Sequence, residues 1–214
     1  LDQLEGIDRF RISSIEPNLL TSEIIKFVAN SRKFMPHFHI PLQSGSDKIL
    51  SLMKRRYRLK LYSNRINEIK SLMPNCGIGV DVIVGFPGET ETDFLDTYHY
   101  LSDLNISYLH VFTYSERPDT LAINMNHSVS KEDRAKRSKM LHILSDKKKK
   151  QFYLDNKGSI EEVLFETNLG GETSGWTKNY IRVSVDSSSE IENQIKNIQL
   201  EVFQNNMMLG QFIN

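Results

Sequence analysis

The stretch Val82–Thr90, which reads Val-Ile-Val-Gly-Phe-Pro-Gly-Glu-Thr, decides the fold of this chain. Its apolar first residues are typical of a buried parallel strand, and the Gly-Phe-Pro-Gly segment after them predicts a turn. The residues Glu89–Thr92 then have the composition of a helix start. Parallel β/α folds bind ligands at the carboxyl ends of their strands, and glycine lets backbone amides approach a ligand closely. The stretch therefore predicts a small-molecule site.

Length and composition indicate an ordinary globular protein. The chain has 214 residues, a formal net charge of 0 and 25% charged residues, which suits one larger and one smaller domain. It has no apolar run long enough to span a membrane, so we expect no membrane partner. Its single cysteine, Cys76, excludes a disulfide framework, favours a cytoplasmic location and is interpreted as a bystander. Because the chain starts at Leu1 and not at methionine, we expect a truncated piece of a longer protein.

Charge is unevenly distributed along the chain. Residues 48–70 hold eight basic residues and one acidic residue, and residues 131–157 hold ten basic and four acidic residues. Residues 158–214 reverse the balance, with three basic and eight acidic residues. This asymmetry favours contact between a polyanion and the first part of the chain, although the lysine run 147–150 is also typical of a solvated helix face.

The first part of the chain alternates strand and helix patterns, which predicts parallel β/α units. The predicted strands are Arg9–Ser14, His37–Gln43, Ile78–Phe86 and Tyr108–Tyr114. The predicted helices are Thr21–Arg32, Asp47–Lys54, Leu59–Met73, Glu91–Asp103 and Lys131–Asn156, with Ser46 and Ser130 at N-cap positions. Four units close neither an eight-stranded barrel nor an open sheet with covered edges, so we expect further N-terminal strands.

After Gly158 the pattern changes to short alternating runs, which predict a small antiparallel β-barrel of about five strands, OB-like in scale. The runs that stand out are Glu162–Glu166, Asn179–Val185, Ile198–Phe203 and Met208–Ile213. The predicted turns between them contain Gly170-Gly171, Gly175, Asp186–Ser189 and Asn205-Asn206. We therefore divide the chain into residues 1–157 and residues 158–214.

Period-2 alternation assigns the strand residues of the first part to two faces. The apolar face, which we expect to pack on helices, holds Phe38, Ile40, Leu42, Val80, Val82, Val84 and Phe86. The opposite face holds Arg9, Arg11, Ser13, His37, His39, Pro41, Gln43, Asp81, Ile83 and Gly85. So many polar groups on one face predict a charged or hydroxyl-rich ligand.

Several of these residues are open to a second interpretation. His37 and His39 are also typical of interior histidines paired with carboxylates, and an ion pair with Arg11 is the alternative role for Asp81. No metal site is predicted, because no third ligand falls at a recognisable spacing from the two histidines. Trp176 and its neighbour Tyr180 are interpreted either as base-stacking residues or as barrel core.

Five motifs together resemble the C-terminal portion of the radical S-adenosylmethionine (SAM) methylthiotransferases. They are Arg11–Pro17, His39–Asp47, Met53–Tyr57, Asp81–Thr90, and Leu109–Phe112 with Tyr114, Ser115 and Arg117. They occur in the family's order, and residues 158–214 resemble the TRAM domain, an RNA-binding barrel. The resemblance implies a partial, TIM-like radical SAM barrel followed by a TRAM barrel. One departure is Asp119, which stands where relatives usually have glycine and suggests a different turn.

Within the family, Ser13–Pro17 and His110–Phe112 are most similar to the threonylcarbamoyladenosine tRNA branch. That resemblance implies a transferase that methylthiolates the modified adenosine next to the anticodon, with the tRNA anticodon stem-loop as partner. The alternatives are a methylthiotransferase of a ribosomal protein, and a non-radical β/α-barrel enzyme or RNA-binding protein. The oligomeric state is not indicated.

The family uses SAM and two 4Fe-4S clusters, which are bound by a CxxxCxxC motif and by three cysteines of an N-terminal domain. Cys76 alone cannot ligate such a cluster, because three or four thiolates are needed. We therefore expect the full-length parent to be the enzyme. For this fragment alone we expect no cluster, no catalytic residue and no activity.

The resemblance also implies site residues. Gln43 and Asp81 are expected to bond the ribose hydroxyls of SAM, and Arg55 is expected to bind its methionine carboxylate, for which a planar guanidinium is suited. Solvent or phosphate contact is the alternative for Arg55. The adenine slot is expected at Gly85, Val111, Phe112 and Thr113. The expected RNA-binding residues are Lys54, Arg56, Arg58, Lys147, Lys148, Lys178, Tyr180 and Arg182.

Overall fold

A computed structural model describes residues 1–169, 172–186 and 191–213. Its first part is a parallel sheet with the strands in chain order, β1 (Phe10–Ile12), β2 (Phe34–His39), β3 (Gly77–Val84) and β4 (Tyr108–Thr113). The helices are α1 (Ser22–Asn30), α2 (Asp47–Leu52), α3 (Leu59–Leu72), α4 (Glu91–Asp103) and α5 (Lys131–Asp155), with a short 3-10 turn at Leu121–Asn124. The predicted partial β/α architecture is confirmed.

Local sequence explains where the helices begin. Thr90 caps α4 by accepting a hydrogen bond from the Asp93 amide, and the Asp93 side chain accepts one from the Thr90 amide, which completes a capping box. Ser46 and Ser130 cap α2 and α5 in the predicted positions. Helix α4 therefore starts directly after the Gly-Phe-Pro-Gly turn, as the sequence predicted.

The hydrophobic core of the first part lies between the sheet and its helices. Val80, Val82 and Val84 are buried there, together with Phe38 and Ile40, so the predicted apolar face is confirmed for these residues. Leu42 is also fully buried in this core.

Phe86, however, was wrongly assigned to that face. Gly85 before it has φ of 79°, which breaks the strand alternation. The Phe86 ring lies 5.4 Å from the Tyr114 ring, and both side chains line the cavity described below.

Strand β2 begins at Phe34 and ends at His39, earlier at both ends than the predicted strand His37–Gln43. After His39 the ladder is irregular: the amides of Leu42 and Gln43 both donate to the carbonyl oxygen of Asp81, and Gln43 has φ of 71°. Pro41 has no amide to donate. The polypeptide therefore bulges where the sequence predicted a regular strand.

The second part is a closed barrel, as predicted. Its strands are β5 (Ile160–Leu169), β6 (Glu172–Thr177), β7 (Arg182–Asp186), β8 (Ile195–Gln204) and β9 (Met207–Phe212), in the order β5-β6-β7-β9-β8. Four neighbouring pairs are antiparallel, and β7 pairs with β9 in parallel. A ring of five strands cannot alternate direction throughout, so one parallel pair is a geometric necessity.

The predicted turns of this barrel have different outcomes. Asn205 and Asn206 both have positive φ, 50° and 62°, and form the predicted turn between β8 and β9. Gly175 lies inside β6, not in a turn, because a Cβ there would meet the Leu164 carbonyl oxygen of β5 at 2.2 Å. The predicted turns at Gly170-Gly171 and at residues 187–189 lie outside the described residues.

Each part has its own hydrophobic core, and α5 contributes to both. Leu141 and Leu144 pack with the sheet, whereas Phe152 and Tyr153 from the end of the helix pack with the core of the barrel. The division after Lys157 therefore stays a prediction. Among the described residues, no helix is long and apolar enough to cross a membrane.

Candidate functional site

A cavity of about 950 Å³ opens at the carboxyl ends of β3 and β4. Apolar and aromatic side chains form much of its wall, and cations stand at its edge. The lining residues are Ser51, Leu52, Met53, Lys54, Arg55, Ile83, Phe86, Phe112, Thr113, Tyr114, Ser115, Arg117, Thr120, Leu121, Ala122 and Met125. A volume of this size and an apolar wall with few polar groups are typical of a small-molecule site.

The turn after α2 presents Arg55 to this cavity. Lys54, just after the end of α2, has φ of 54°, and the Arg55 amide donates to the Leu50 carbonyl oxygen at 2.9 Å. The Tyr57 hydroxyl donates to the carbonyl oxygens of Pro41 and Leu42, which ties this turn to the end of β2. The bulged segment and the arginine are thereby held together.

Polar atoms at the cavity still lack partners. Arg55 Nη1 donates to Glu16 Oε1 at 3.0 Å, but Arg55 Nε is buried without a hydrogen-bond partner among the described residues. The hydroxyl of Tyr114, which also lines the cavity, is buried without a partner in the same part of the chain. Buried polar groups are usually paired, so the cavity fits a ligand that supplies hydrogen-bonding atoms. SAM, with a carboxylate and an adenine ring, has this chemistry.

The turn at Asp119 borders the same cavity. Asp119 has φ of 62°, the left-handed conformation that glycine adopts most easily. The aspartate thus adopts a glycine-type backbone, which Asn and Asp tolerate better than other residues. Whether the turn differs from that of relatives stays a prediction.

Of the expected SAM-binding residues, the cavity brings together Arg55, Phe112 and Thr113. Phe112 is 52% exposed there. The other four expected residues, Gln43, Asp81, Gly85 and Val111, are not among its lining residues. Gln43 is bridged to Val82 of β3 through its backbone and is buried.

Gly85 contacts α5 and not an open slot. A Cβ at this position would meet the Arg134 side chain at 2.3 Å, and the Gly85 amide donates to Glu89 Oε1 at 2.9 Å. Arg137 donates to the same Glu89 oxygen at 2.6 Å. The two arginines therefore brace the turn, a role that sequence reasoning missed because Arg137 and Glu89 are 48 positions apart in the chain.

Asp81 lies on the polar face of the sheet beside two histidines. His39 Nε2 lies 2.7 Å from Asp81 Oδ1, and the His39 and His110 rings are 5.1 Å apart. The interpretation of His39 as a histidine paired with a carboxylate is confirmed. The alternative of an Asp81–Arg11 ion pair is wrong, since the Arg11 guanidinium donates to backbone carbonyl oxygens of the second part of the chain.

His37 pairs with a hydroxyl and not with a carboxylate. Its Nε2 lies 2.8 Å from the Tyr108 hydroxyl. Burial, followed by the nearby Arg11, lowers the pKa of His37 to about 3. The ring is therefore a neutral, structural group at the amino end of the sheet.

Arg9 and Arg11 bond the β-barrel instead of facing a ligand. Arg9 donates to the carbonyl oxygens of Glu162 and Trp176, at 3.0 and 3.2 Å. Arg11 donates to the carbonyl oxygens of residues 177 and 178, at 2.9 and 3.2 Å. Their expected place in a ligand-binding interior is therefore wrong, because the partner strand lies more than 150 residues away in sequence.

Tyr180 is part of the same contact. Its ring is 4.3 Å from that of Trp176 and 4.4 Å from that of His37, and Arg11 lies 4.9 Å from its centre. Arg182 lies 5.7 Å over Trp176. The Tyr180 ring is therefore engaged with neighbouring side chains of both parts of the chain, and its role as a base-stacking residue stays a prediction.

The other expected RNA-binding cations lie in different settings. Arg56 and Arg58 line an open basic groove of about 670 Å³ together with Arg55 and Lys60, next to the cavity. Lys147 is exposed, whereas the Lys148 ammonium donates to the carbonyl oxygens of Ser102 and Leu104, at 2.9 and 2.7 Å. Lys178 is paired with Glu162.

The chain does not fit an iron–sulfur cluster. Cys76, its single cysteine, is 1% exposed, and burial raises the pKa of its thiol to about 12. A cluster needs several thiolates, and a buried neutral thiol supplies none.

Comparison with known proteins shows which proteins the chain resembles. Residues 2–101 match the model of the Radical SAM superfamily. The chain is 36% identical, over 92% of its length and 45% of the relative's, to the threonylcarbamoyladenosine tRNA methylthiotransferase MtaB of Bacillus subtilis. It is 33% identical, over 98% of its length and 50% of the relative's, to the tRNA-2-methylthio-N(6)-dimethylallyladenosine synthase of Endomicrobium trichonymphae.

A solved structure shows the same fold. Coproporphyrinogen III oxidase (HemN) of Escherichia coli, a radical SAM enzyme, superposes with a TM-score of 0.54 over 78% of this chain and 46% of that one, at 12% identity. The chain spans about half the length of the curated relatives it matches, 45% and 50%. The resemblance predicted from the motifs is confirmed: the chain is a relative of the radical SAM methylthiotransferases.

Proposed function

We propose that this chain acts in the methylthiolation of tRNA by radical SAM chemistry. The observation that carries the proposal is its 36% identity, over 92% of its length, to a protein named as a tRNA methylthiotransferase. The cavity at the carboxyl ends of the strands supports it, because β/α enzymes bind their ligands there. The iron–sulfur clusters are outside this proposal for the chain itself, since its residues do not fit them.

SAM supplies the radical chemistry of this family, and the residues of this chain would hold and orient it. Arg55 has the fork geometry and the unpaired Nε to bind the methionine carboxylate, while sharing its charge with Glu16. Phe112 offers an exposed ring on which adenine would stack. Gln43 and Asp81 stay as proposed ribose ligands on grounds of the family resemblance alone.

We further propose N6-threonylcarbamoyladenosine beside the anticodon as the substrate, in a cytoplasmic tRNA whose stem-loop meets the basic groove of Arg56 and Arg58. The motifs Ser13–Pro17 and His110–Phe112 support this branch, as does the name of the B. subtilis relative. The name of the E. trichonymphae relative specifies a different adenosine derivative, so the branch needs a direct test.

The test of substrate is mass analysis of tRNA nucleosides from a strain that lacks the gene. We expect 2-methylthio-N6-threonylcarbamoyladenosine to disappear and its precursor without the methylthio group to accumulate, with the dimethylallyl derivative unchanged. Restoring the gene should restore the lost nucleoside. Loss of the dimethylallyl derivative alone would assign the other branch, and no loss of either would overturn the proposal for tRNA.

Cofactor binding is tested by calorimetry of SAM with the full-length parent protein, loaded with its iron–sulfur clusters. Arg55→Gln and Asp81→Ala should each weaken SAM affinity by about tenfold, which corresponds to about 1.4 kcal/mol. Arg32→Gln, at an exposed arginine after α1, is the matched control and should bind as the unaltered protein does. Unchanged affinity in Asp81→Ala would remove that residue from the site.

A further inference from the structure

Three side chains with metal-ligating atoms converge on the polar face of the sheet. One ligand atom from each of His39, Asp81 and His110 lies within 4.8 Å of the others. Asp81 and His110 are direct neighbours in the pairing of β3 with β4, and His39 ends β2 on the other side of Asp81. Spacing along the chain does not reveal this third ligand, because His110 is brought next to Asp81 by strand register.

The composition of the cluster points to a class of metal. Two imidazoles and one carboxylate form a donor set typical of zinc, iron and related ions, and three protein ligands leave coordination positions open. Hard cations such as magnesium prefer oxygen ligands alone. We propose that His39, Asp81 and His110 bind a divalent first-row transition metal ion, for which Zn²⁺ is the reference.

The surroundings suit such a site. All three ligands sit on strands and not on loops, so the backbone fixes their spacing. The Tyr108 ring meets the His110 ring edge-on at 5.2 Å and restricts its orientation. His110 is exposed and the side chains of His39 and Asp81 are 23% and 17% exposed, so an ion can enter.

Arg11, on the same face of the sheet, is already engaged. The Arg11 guanidinium donates to the backbone carbonyl oxygens of residues 177 and 178 in the β-barrel. It therefore does not pair with the Asp81 carboxylate. The inference goes beyond the proposed function, and it assigns metal binding to the Asp81 carboxylate in addition to its proposed contact with ribose.

The test is a Co²⁺ titration of the tag-free, chelator-treated 214-residue chain, followed by visible absorption, with Zn²⁺ added in competition. We expect one saturable site from which Zn²⁺ displaces Co²⁺. His110→Ala and Asp81→Asn should each weaken Co²⁺ binding by about 100-fold or more, because loss of a ligand costs at least as much as loss of an outer-shell partner. His142→Ala, at an exposed histidine of α5, is the matched control and should bind normally.

Thermal unfolding gives a second, independent measurement. Zn²⁺ should raise the melting temperature of the unaltered chain and of His142→Ala, because an ion that binds the folded state stabilises it. Zn²⁺ should not raise the melting temperature of His110→Ala. Because residue 110 is exposed, we expect this variant to keep its fold. Equal Co²⁺ affinity of the unaltered chain and His110→Ala, or an equal loss in His142→Ala, would overturn the proposal.

Discussion

The two ends of the four-stranded sheet carry similar polar residues but use them in opposite ways. At the amino end, Arg11, His37 and Tyr108 are in contact with the β-barrel or with each other. At the carboxyl end, Arg55 and Tyr114 keep buried polar atoms without partners among the described residues, beside an open cavity. Polarity on a sheet face therefore does not identify a ligand site by itself. Nor does an unpartnered buried polar atom by itself, since His37 Nδ1 at the amino end is one as well. The difference between the two ends is the open cavity beside Arg55 and Tyr114.

The largest effect should come from Gly77 at the amino end. A Cβ there would lie 2.2 Å from the Asn179 carbonyl oxygen of the barrel, and that backbone cannot move alone. We expect Gly77→Ala to lower the free energy of unfolding by about 3 kcal/mol, the cost of overpacking a tight contact. Urea denaturation followed by circular dichroism would measure it.

Gly158→Ala is the control for this change, because φ is 84° and nothing lies within 4 Å of the new methyl group. It should cost about 1 kcal/mol through the backbone alone. If the two variants lose the same stability, the barrel is not seated tightly on the sheet.

The second effect is a pH dependence located at the same end. Burial, then Arg11, His39 and His110, lowers the pKa of His37 to about 3 from the ordinary 6.5. Between these values the unfolded chain binds a proton that the folded chain does not, so stability is lost as pH falls. We expect a loss of about 1.4 kcal/mol per pH unit below pH 6.

Urea denaturation at pH 7, 6 and 5 would measure this slope. The free energy of unfolding of His37→Gln should fall by about 1.4 kcal/mol less per pH unit than that of the unaltered chain, because glutamine does not titrate. If the free energy of unfolding depends on pH equally in both proteins, the His37 ring is already accessible to water in the folded state.

A smaller effect on stability distinguishes Lys147 from Lys148, two adjacent lysines that are both predicted to bind RNA. Lys148→Ala should lower the free energy of unfolding by about 1 kcal/mol, because its ammonium bonds two carbonyl oxygens at the end of α4. Lys147→Ala, at an exposed position, should leave stability unchanged and weaken only RNA binding. Thermal unfolding and a filter-binding titration with tRNA would measure both, and equal stability of the two variants would contradict the assignment.

The smallest effect on stability should be at the carboxyl end. Phe112 is 52% exposed, so Phe112→Ala should change the free energy of unfolding by less than about 0.5 kcal/mol. We expect it to weaken SAM binding by the gene product about tenfold through lost stacking. Calorimetry would measure this against Ile143→Ala, a 60% exposed residue of α5. A large loss of stability with unchanged SAM affinity would reverse the comparison between the two ends.

Regular alternation was the part of the fold that the sequence predicted well. Val80, Asp81 and Val82 lie on the expected faces because strand geometry places successive side chains on opposite sides. Phe86 departs from the pattern because Gly85, in the left-handed region, interrupts the alternation. Positive φ at Gln43 could not be expected from a residue that rarely adopts it.

The partners of the polar side chains were the part that the sequence could not predict. Arg11 occupies the expected strand, yet its partners are carbonyl oxygens that only the docking of the barrel brings near. The sequence predicts that Tyr180 either stacks on bases or lies in the barrel core. Its contact with His37 joins residues far apart in the chain. Such contacts depend on tertiary packing, which local patterns do not encode.

Helix α5 gives the molecule a mechanical property. Arg134 and Arg137 near its start hold the Gly85 turn beside the cavity, while Phe152 and Tyr153 near its end pack with the hydrophobic core of the barrel. Its 25 residues form a helix about 37 Å long. This helix fixes the distance between the cavity and the barrel, so an RNA bound at the barrel would extend toward the cavity over a constant length.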